Sequence, residues 1–256
     1  MNKRLFTFGC SFTKWSWPTW NDYIGLSFDE YYNFACGGAD NKNILYRLLQ
    51  ADKNYKFTSD DCVMVMFSSF NRMSYVDKHH YIKNIGDIID HNIKAHPMGK
   101  TYNFETAVYD SCIAIQSIES ILKSKNVKYE FLQSMKHNFY HEDFKARADI
   151  KKNLDYCLDL FKYPVMENWV YENCDFDKEK IIWKNKGEDG HPPMKHHFDY
   201  VKEFFPQYIT DKVIEYYNIN QEKFTDSSVI KQNKLYQSLT GEFFKSKKII
   251  ITGGRD

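Results

Sequence analysis

The feature that most constrains the fold is the uninterrupted apolar run Cys62–Phe67. A strand without polar alternation is expected where both faces of a sheet are covered, as in a parallel sheet between helices. Further strand-type segments lie at Lys3–Phe8, Tyr31–Ala35 and Lys128–Leu132. We expect the first three strands of the chain to be neighbours in one sheet.

Stretches with helical spacing separate these strands. Apolar residues recur at intervals of three and four in Asn41–Ala51, Val76–Ile93 and Thr106–Lys123. Each of these stretches is therefore predicted to be an amphipathic helix. Strands that alternate with helices place helices on both faces of a sheet. The sequence thus predicts an α/β fold, a three-layer α/β/α sandwich with a mainly parallel sheet.

The second half of the chain is less regular. Residues 138–186 mix aromatic and charged side chains with poor periodicity, and we predict a lid or insertion that forms one wall of a substrate site. Residues 222–256 are predicted to be a C-terminal extension, in which the run Lys247–Thr252 adds a strand. No internal repeat or low-complexity linker divides the chain, so residues 1–256 are predicted to form a single domain.

Charge and composition exclude several classes of partner. The 35 basic and 34 acidic residues give a net charge of +1, which predicts no nucleic-acid partner and no membrane surface partner. No apolar run approaches the ~20 residues of a membrane span. The six cysteines are scattered without metal-ligand spacing, which is typical of free thiols in a reducing compartment. We therefore expect a cytoplasmic protein, in a cell or in an infected host.

One serine and one histidine are candidates for nucleophilic catalysis. Ser11 follows the first strand, where open α/β sheets place ligands, although a serine there is also a good N-cap for a following helix. A serine nucleophile needs a base, and the base needs an orienting acid. His191 has Glu188 and Asp189 shortly before it and two prolines after it, which suits a rigidly held general base.

Two further loops supply candidate hydrogen-bond donors. Gly37 and Gly38 follow the second strand, where backbone N–H groups can bind an oxyanion. Asn71 follows the third strand, and its side-chain amide can donate to the same oxygen. The alternatives are an ordinary strand-to-helix turn and a polar loop. The two glycines lack G-x-G-x-x-G spacing, so no dinucleotide cofactor is predicted.

Three nearby histidines raise a different possibility, a metal-dependent hydrolase. His191, His196 and His197 lie within seven residues of one another. However, two prolines separate the first from the others, and neighbouring residues on a helix face different directions. The spacing therefore favours a general base at His191 over a metal site.

Taken in chain order, these segments resemble the four sequence blocks of the SGNH, or GDSL-like, hydrolases. The four matching segments are Gly9–Ser11, Gly38–Asn41, Ser69–Arg72 and Glu188–Pro192. The chain departs from the family pattern where Cys10 replaces the aspartate of the first block and Arg72 the aspartate of the third. Its GCSFT and DGHPP segments are similar to those of divergent members found in phage genomes.

The resemblance implies a flavodoxin-like α/β/α fold and a serine esterase. By carry-over from the family, Ser11 attacks an ester carbonyl and His191 accepts its proton. Either Asp189 or Glu188 then orients the imidazole. Glu188 has the family's three-residue offset from the histidine, whereas Asp189 has the shorter side chain and precedes a glycine.

The resemblance also implies an oxyanion hole and a substrate class. The hole is formed by the backbone N–H groups of Ser11 and Gly38 with the Asn71 side chain, and neither a metal nor an organic cofactor is needed. By analogy, the substrate is a small-molecule or carbohydrate ester, with O-acetyl groups on a carbohydrate as the specific expectation. The alternative is a catalytically degenerate SGNH-fold module that binds a glycan or a protein, which the departures at Cys10 and Arg72 favour.

Overall fold

The computed structural model describes residues 4–76, 82–87, 104–135, 148–173, 191–224 and 248–251. The strands of its main sheet are β1 (Arg4–Gly9), β2 (Glu30–Asn33), β3 (Asp61–Phe67), β6 (Lys128–Gln133) and β7 (Lys248–Ile251). A separate hairpin consists of β4 (Arg72–Val76) and β5 (Ile82–Asp87). The helices are α1 (Trp20–Gly25), α2 (Asn41–Tyr55), α3 (Phe104–Ser124), α4 (Ala148–Asp159), α5 (Met166–Asn173), α6 (Met194–Phe204) and α7 (Asp211–Asn220), with short 3-10 turns at Pro206–Tyr208 and Gln221–Phe224. None of these helices is long and apolar enough to span a membrane.

The main sheet is parallel throughout its described part, in the order β6-β3-β1-β2-β7. Strand β1 is central, and its Leu5 lies opposite Tyr31 of β2 and Cys62 of β3. The predicted α/β fold with a mainly parallel sheet is confirmed, and so is the expectation that the first three strands are neighbours. The predicted terminal strand is also found, since β7 pairs with β2 at the edge of the sheet.

Right-handed crossovers explain how both faces become covered. The chain passes from β1 to β2 in one direction, and from β2 through β3 to β6 in the other. Right-handed connections then place α1 on one face and both α2 and α3 on the opposite face. Helix α1 packs against α6, whereas α2 packs against α3 and α3 against α4. Because helices cover both faces, every residue of β3 is buried, as its apolar run predicts.

An ion pair aligns β1 with β3 at the amino end of the sheet. Arg4 donates two hydrogen bonds of 2.7 Å to the carboxylate of Asp61, which is almost completely buried. Two such parallel hydrogen bonds are stronger and more directional than a single one. It supports the register that aligns the carboxyl ends of the two strands.

The predicted helix over Val76–Ile93 is wrong for the described residues of that range. Residues 72–76 and 82–87 form the antiparallel pair β4–β5. Tertiary contacts hold this hairpin over the loop after β2: the Ser74 N–H donates to Asp40 at 2.7 Å, and the Asn84 amide donates to the Gly37 carbonyl at 3.1 Å. Such contacts override the weak helical periodicity of a single segment.

The predicted lid segment is described over residues 148–173 only. Helix α4 buries Ile150, Leu154 and Cys157 in the core, so this part is a packing layer. Helix α5 begins at the edge of the main sheet, where the Glu167 N–H donates to the Ser134 carbonyl at 3.0 Å. Residues 138–147 and 174–186 lie outside the described residues, and a wall formed by this segment stays a prediction.

We predict that Gly9→Ala destabilises the protein by about 1–3 kcal/mol, the usual range for an overpacked core. A Cβ atom at Gly9 would lie 2.1 Å from the Thr13 hydroxyl oxygen and 3.0 Å from the Met66 carbonyl oxygen. The matched control is Gly37→Ala, whose Cβ would meet only Trp15 at 3.9 Å. Urea unfolding of both variants measures the difference, and equal stabilities would contradict the packing argument.

Candidate active site at the carboxyl edge of the sheet

Ser11 lies on a tight turn directly after β1. The Cys10 carbonyl accepts a 3.0 Å hydrogen bond from the Thr13 N–H, which closes the turn around Ser11. The serine is 3% exposed. Helix α1 begins only at Trp20, with Thr19 as its N-cap. The alternative in which Ser11 caps the next helix is therefore wrong.

A network of buried hydrogen bonds supports the turn that carries Ser11. The Thr13 carbonyl accepts hydrogen bonds from the Thr19 hydroxyl at 3.0 Å and from the Asn33 amide at 3.1 Å. The carboxylate of Asp22 accepts from the Thr19 N–H at 2.8 Å and from the Tyr31 hydroxyl at 3.0 Å. Burial and the adjacent Asp22 charge raise the pKa of Tyr31 well above its ordinary value, so the phenol remains a donor. The turn that carries Ser11 is thus held by fully buried groups.

His191 packs on the segment that begins with Ser11. Its imidazole stacks on the Trp15 indole with ring centroids 4.0 Å apart and an interplanar angle of 8°. The Phe12 ring lies 5.3 Å away on a tilted approach. The Trp17 indole N–H donates to the Pro192 carbonyl at 2.9 Å, which fastens the histidine loop to the same segment. These contacts bring together two parts of the chain that are far apart in sequence.

The structure describes Ser11 and His191 of the predicted triad but neither candidate for its acid. Within the described residues, no hydrogen bond joins the Ser11 hydroxyl to the His191 ring. Such bonds are often long in an unliganded site and tighten when substrate binds. Asp189 and Glu188 lie outside the described residues. The choice between these two acids therefore stays a prediction.

The two histidines on α6 are buried rather than arranged around an open site. Burial lowers the pKa of His197 well below its ordinary value, and the neighbouring His191 and His196 lower it further by electrostatic repulsion. Burial also lowers the pKa of His196. In the described part of the chain, no group of three or more histidine, cysteine, aspartate or glutamate side chains is placed to hold a metal ion.

The loop after β2 approaches the Ser11 turn closely. The Cys36 N–H donates to the Gly9 carbonyl at 3.0 Å. Gly38 has a φ of 75°, a left-handed conformation that disfavours side chains. Asp40 then caps α2 by accepting the Asn43 N–H at 2.8 Å. The loop is therefore a helix-capping turn with glycine at the position whose backbone conformation requires it.

The loop after β3 is tied to the loop after β2. Asn41 bonds the backbone of Ser68 twice, by accepting its N–H at 2.9 Å and donating to its carbonyl at 3.3 Å. Asn71 is almost fully buried, and its amide oxygen accepts from the Ser69 hydroxyl. This contact gives the Asn71 amide a defined orientation at the carboxyl edge of the sheet.

Cys10, which the sequence resemblance aligns with an aspartate, makes a structural contact. Its thiol is buried and donates to the Ser134 hydroxyl at 3.5 Å, and that hydroxyl donates to the Phe67 carbonyl at 2.9 Å. The residue thus joins the ends of β1, β3 and β6. It adds no carboxylate to the site.

Sequence reasoning did not single out Trp15 and Trp17, which hold the histidine loop. The available signal was the pair of tryptophans immediately after the candidate nucleophile. Tryptophan has a large apolar surface and an indole N–H that both favour partners, so two tryptophans beside a candidate nucleophile indicate tertiary contacts there.

We predict that the protein loses stability as the pH falls below 6.5, in part through His197. Its folded-state pKa lies below the ordinary value of 6.5, so the unfolded chain binds a proton that the folded chain excludes. One such proton changes the free energy of unfolding by up to ~1.4 kcal/mol per pH unit. Urea unfolding at pH 7.5 and 5.5 should give a smaller pH dependence for His197→Phe than for the parent, and equal slopes would refute the assignment.

Comparisons with known proteins identify a structural likeness only. No protein-family model matches the chain, and no curated protein matches it. Among solved structures, the chain is similar to Axe2, an acetylxylan esterase from Geobacillus stearothermophilus, at 12% identity and a TM-score of 0.46. The match covers 82% of this chain and 95% of the other. A likeness of this degree establishes neither a shared activity nor shared residues, and the function must be argued from the site itself.

Proposed function

We propose that the protein is a serine hydrolase that cleaves carboxylic esters, with Ser11 as nucleophile and His191 as base. The observation that carries the proposal is the packing of the His191 ring on Phe12 and Trp15. These aromatic side chains belong to the turn and loop that begin at Ser11. Ring contacts with residues that directly follow a strand-end serine support a role for this histidine as the general base.

In the proposed reaction, His191 accepts the hydroxyl proton of Ser11 as Oγ attacks the ester carbonyl. It then passes the proton to the departing alcohol, and water hydrolyses the acyl-enzyme by the same route. The negative oxygen of each tetrahedral intermediate is bound by the backbone N–H groups of Ser11 and Gly38 and by the Asn71 amide. Loss of one such donor costs ~3 kcal/mol of barrier stabilisation.

Trp15 positions the base in this mechanism. A stacked indole confines the imidazole to one plane and excludes water from that face. The same face favours a cation, so it stabilises the imidazolium that forms during each proton transfer. The stacking thus lowers the free energy of the transition state more than that of the resting enzyme.

We further propose that the ester is an O-acetyl group on a carbohydrate. The support is local: Trp15 and His191 are each only half-buried, so the aromatic surface beside the nucleophile stays accessible. Sugar rings pack well on such surfaces. A small acyl group suits a nucleophile that is itself almost fully buried.

We predict that Ser11→Ala abolishes hydrolysis of p-nitrophenyl acetate and leaves the melting temperature nearly unchanged. The substitution removes only the nucleophilic oxygen from a turn that backbone bonds hold together. Release of p-nitrophenol and thermal unfolding measure the two effects. A fluorophosphonate probe should label the parent protein, with a chelator present, and should not label the variant.

The matched control is Ser16→Ala, a second buried serine five positions further along the same segment. It should retain activity and labelling. Activity that survives in Ser11→Ala would remove Ser11 as the nucleophile. Activity that disappears in the presence of a chelator would instead support the metal-dependent alternative.

We predict that Asp189→Asn lowers kcat more than Glu188→Gln does. Asp189 precedes a glycine, which permits the tight turn that a two-residue offset from His191 requires. Loss of the orienting acid leaves the imidazole in the wrong tautomer and typically costs up to ~10⁴ in kcat. The reverse order of effects would assign the role to Glu188, and no effect from either variant would assign it to a backbone carbonyl.

A binding module without turnover is the second candidate. It is favoured by Cys10, a buried structural thiol where the family has an aspartate. Specific glycan binding by a parent protein that neither hydrolyses esters nor reacts with the fluorophosphonate would support it.

A further inference from the structure

The arginine that begins β4 occupies an unusual environment. Arg72 directly follows Asn71, so it lies at the carboxyl edge of the sheet. Its Nη2 atom is 3.2 Å from the Met135 thioether sulfur. A thioether is a weak acceptor, so this contact compensates little of the guanidinium charge.

The other terminal nitrogen of the Arg72 guanidinium lacks an acceptor. Its Nη1 is buried and has no hydrogen-bond partner in the part of the chain that the structure describes. Arg4 provides the contrast, since it donates two bonds of 2.7 Å to Asp61. A buried charged N–H without an acceptor is costly, so an acceptor supplied by a ligand is the economical explanation.

Two contacts link Arg72, through neighbouring residues, to the turn that carries Ser11. Met135, which the guanidinium contacts, directly follows Ser134. The Ser134 hydroxyl accepts from the Cys10 thiol at 3.5 Å, and Cys10 directly precedes Ser11. The guanidinium therefore contacts the segment that directly follows β6, and Ser134 of that segment also contacts Cys10.

Two acidic residues belong to elements that neighbour Arg72 in the fold. Asp40 is buried and accepts the N–H groups of Asn43 at 2.8 Å and Ser74 at 2.7 Å, so it is already engaged. Asp87 is the cross-strand partner of Arg72 in the β4–β5 hairpin. Cross-strand partners can form ion pairs, so Asp87 must be tested as an alternative acceptor.

We propose that Arg72 binds an anionic group, a carboxylate or a phosphate, carried by the ester substrate. The inference rests on the proposed hydrolase function and adds a substrate class: acetyl esters whose alcohol part bears a negative charge, as in an acidic sugar. A guanidinium forms two parallel charge-assisted hydrogen bonds to such a group. The residue occupies the place of a family aspartate, which would repel the same group.

A matched ester pair tests the proposal. 4-Acetoxybenzoate and phenyl acetate share the acetyl group and differ by a carboxylate on the alcohol side. The parent should prefer 4-acetoxybenzoate, the anionic member. Arg72→Gln should lower kcat/KM for that member by about 10- to 100-fold and leave its neutral counterpart unchanged. Arg72→Lys should retain part of the preference, because the charge remains without the bidentate geometry.

Two control variants separate ligand binding from general electrostatics and from structure. Arg47→Gln removes the same charge from α2, where the guanidinium already donates to Asn43 at 3.1 Å, and should not change the preference. Asp87→Asn should not change it either. An equal loss on neutral and anionic esters in both Arg72→Gln and Asp87→Asn would identify a structural ion pair and overturn the proposal.

Calorimetric binding of succinate and of inorganic phosphate to the parent provides a readout that does not depend on turnover. Millimolar binding of either anion that is lost in Arg72→Gln supports the site, and the better ligand distinguishes carboxylate from phosphate. Failure of both anions to bind the parent would overturn it. Anion binding without any ester hydrolysis would leave the anion site standing and refute the proposed hydrolase.

Discussion

The pairing of β1 with β2 on one side and β3 on the other is the constraint on which the rest of the molecule depends. A central parallel strand has no free edge, so its residues are buried from both faces and its register is strongly specified. The bidentate contact of Arg4 with Asp61 reinforces that register at the amino end. The carboxyl ends of the three strands consequently lie at one edge of the sheet, and the loops that follow them are neighbours.

Hydrogen bonds from buried polar side chains then hold the neighbouring loops against one another. Asp22 and Thr19 hold the Ser11 turn from beneath, Asn41 ties the loop after β2 to Ser68, and Ser134 joins β6 to Cys10. A buried polar group is costly unless it is fully hydrogen-bonded, and each such group therefore permits few alternative arrangements. Rigid support of this kind is what a site needs when it must hold donors within a few tenths of an ångström.

The histidine loop depends on a different force. His191 is held by stacking on Trp15 and by the hydrogen bond from Trp17 to Pro192, with α6 beginning directly afterwards. Aromatic packing and one hydrogen bond therefore link the histidine loop to the segment that begins at Ser11. Arg72 begins the hairpin that follows β3, and its buried Nη1 has no hydrogen-bond partner within the described residues.

The sequence by itself determined the class of fold, because the apolar run Cys62–Phe67 and its alternation with helical stretches indicate strands covered on both faces. It also placed Ser11 and Gly38 in the loops that follow the first two strands, since glycine and serine there interrupt the strand patterns. Only the tertiary structure decided that residues 72–76 and 82–87 form a hairpin, because bonds to Asp40 and Gly37 outweigh local periodicity. It likewise decided that Trp15 supports His191 and that the Arg72 Nη1 atom has no hydrogen-bond partner among the described residues, since both depend on contacts between segments distant in sequence, which no local pattern encodes.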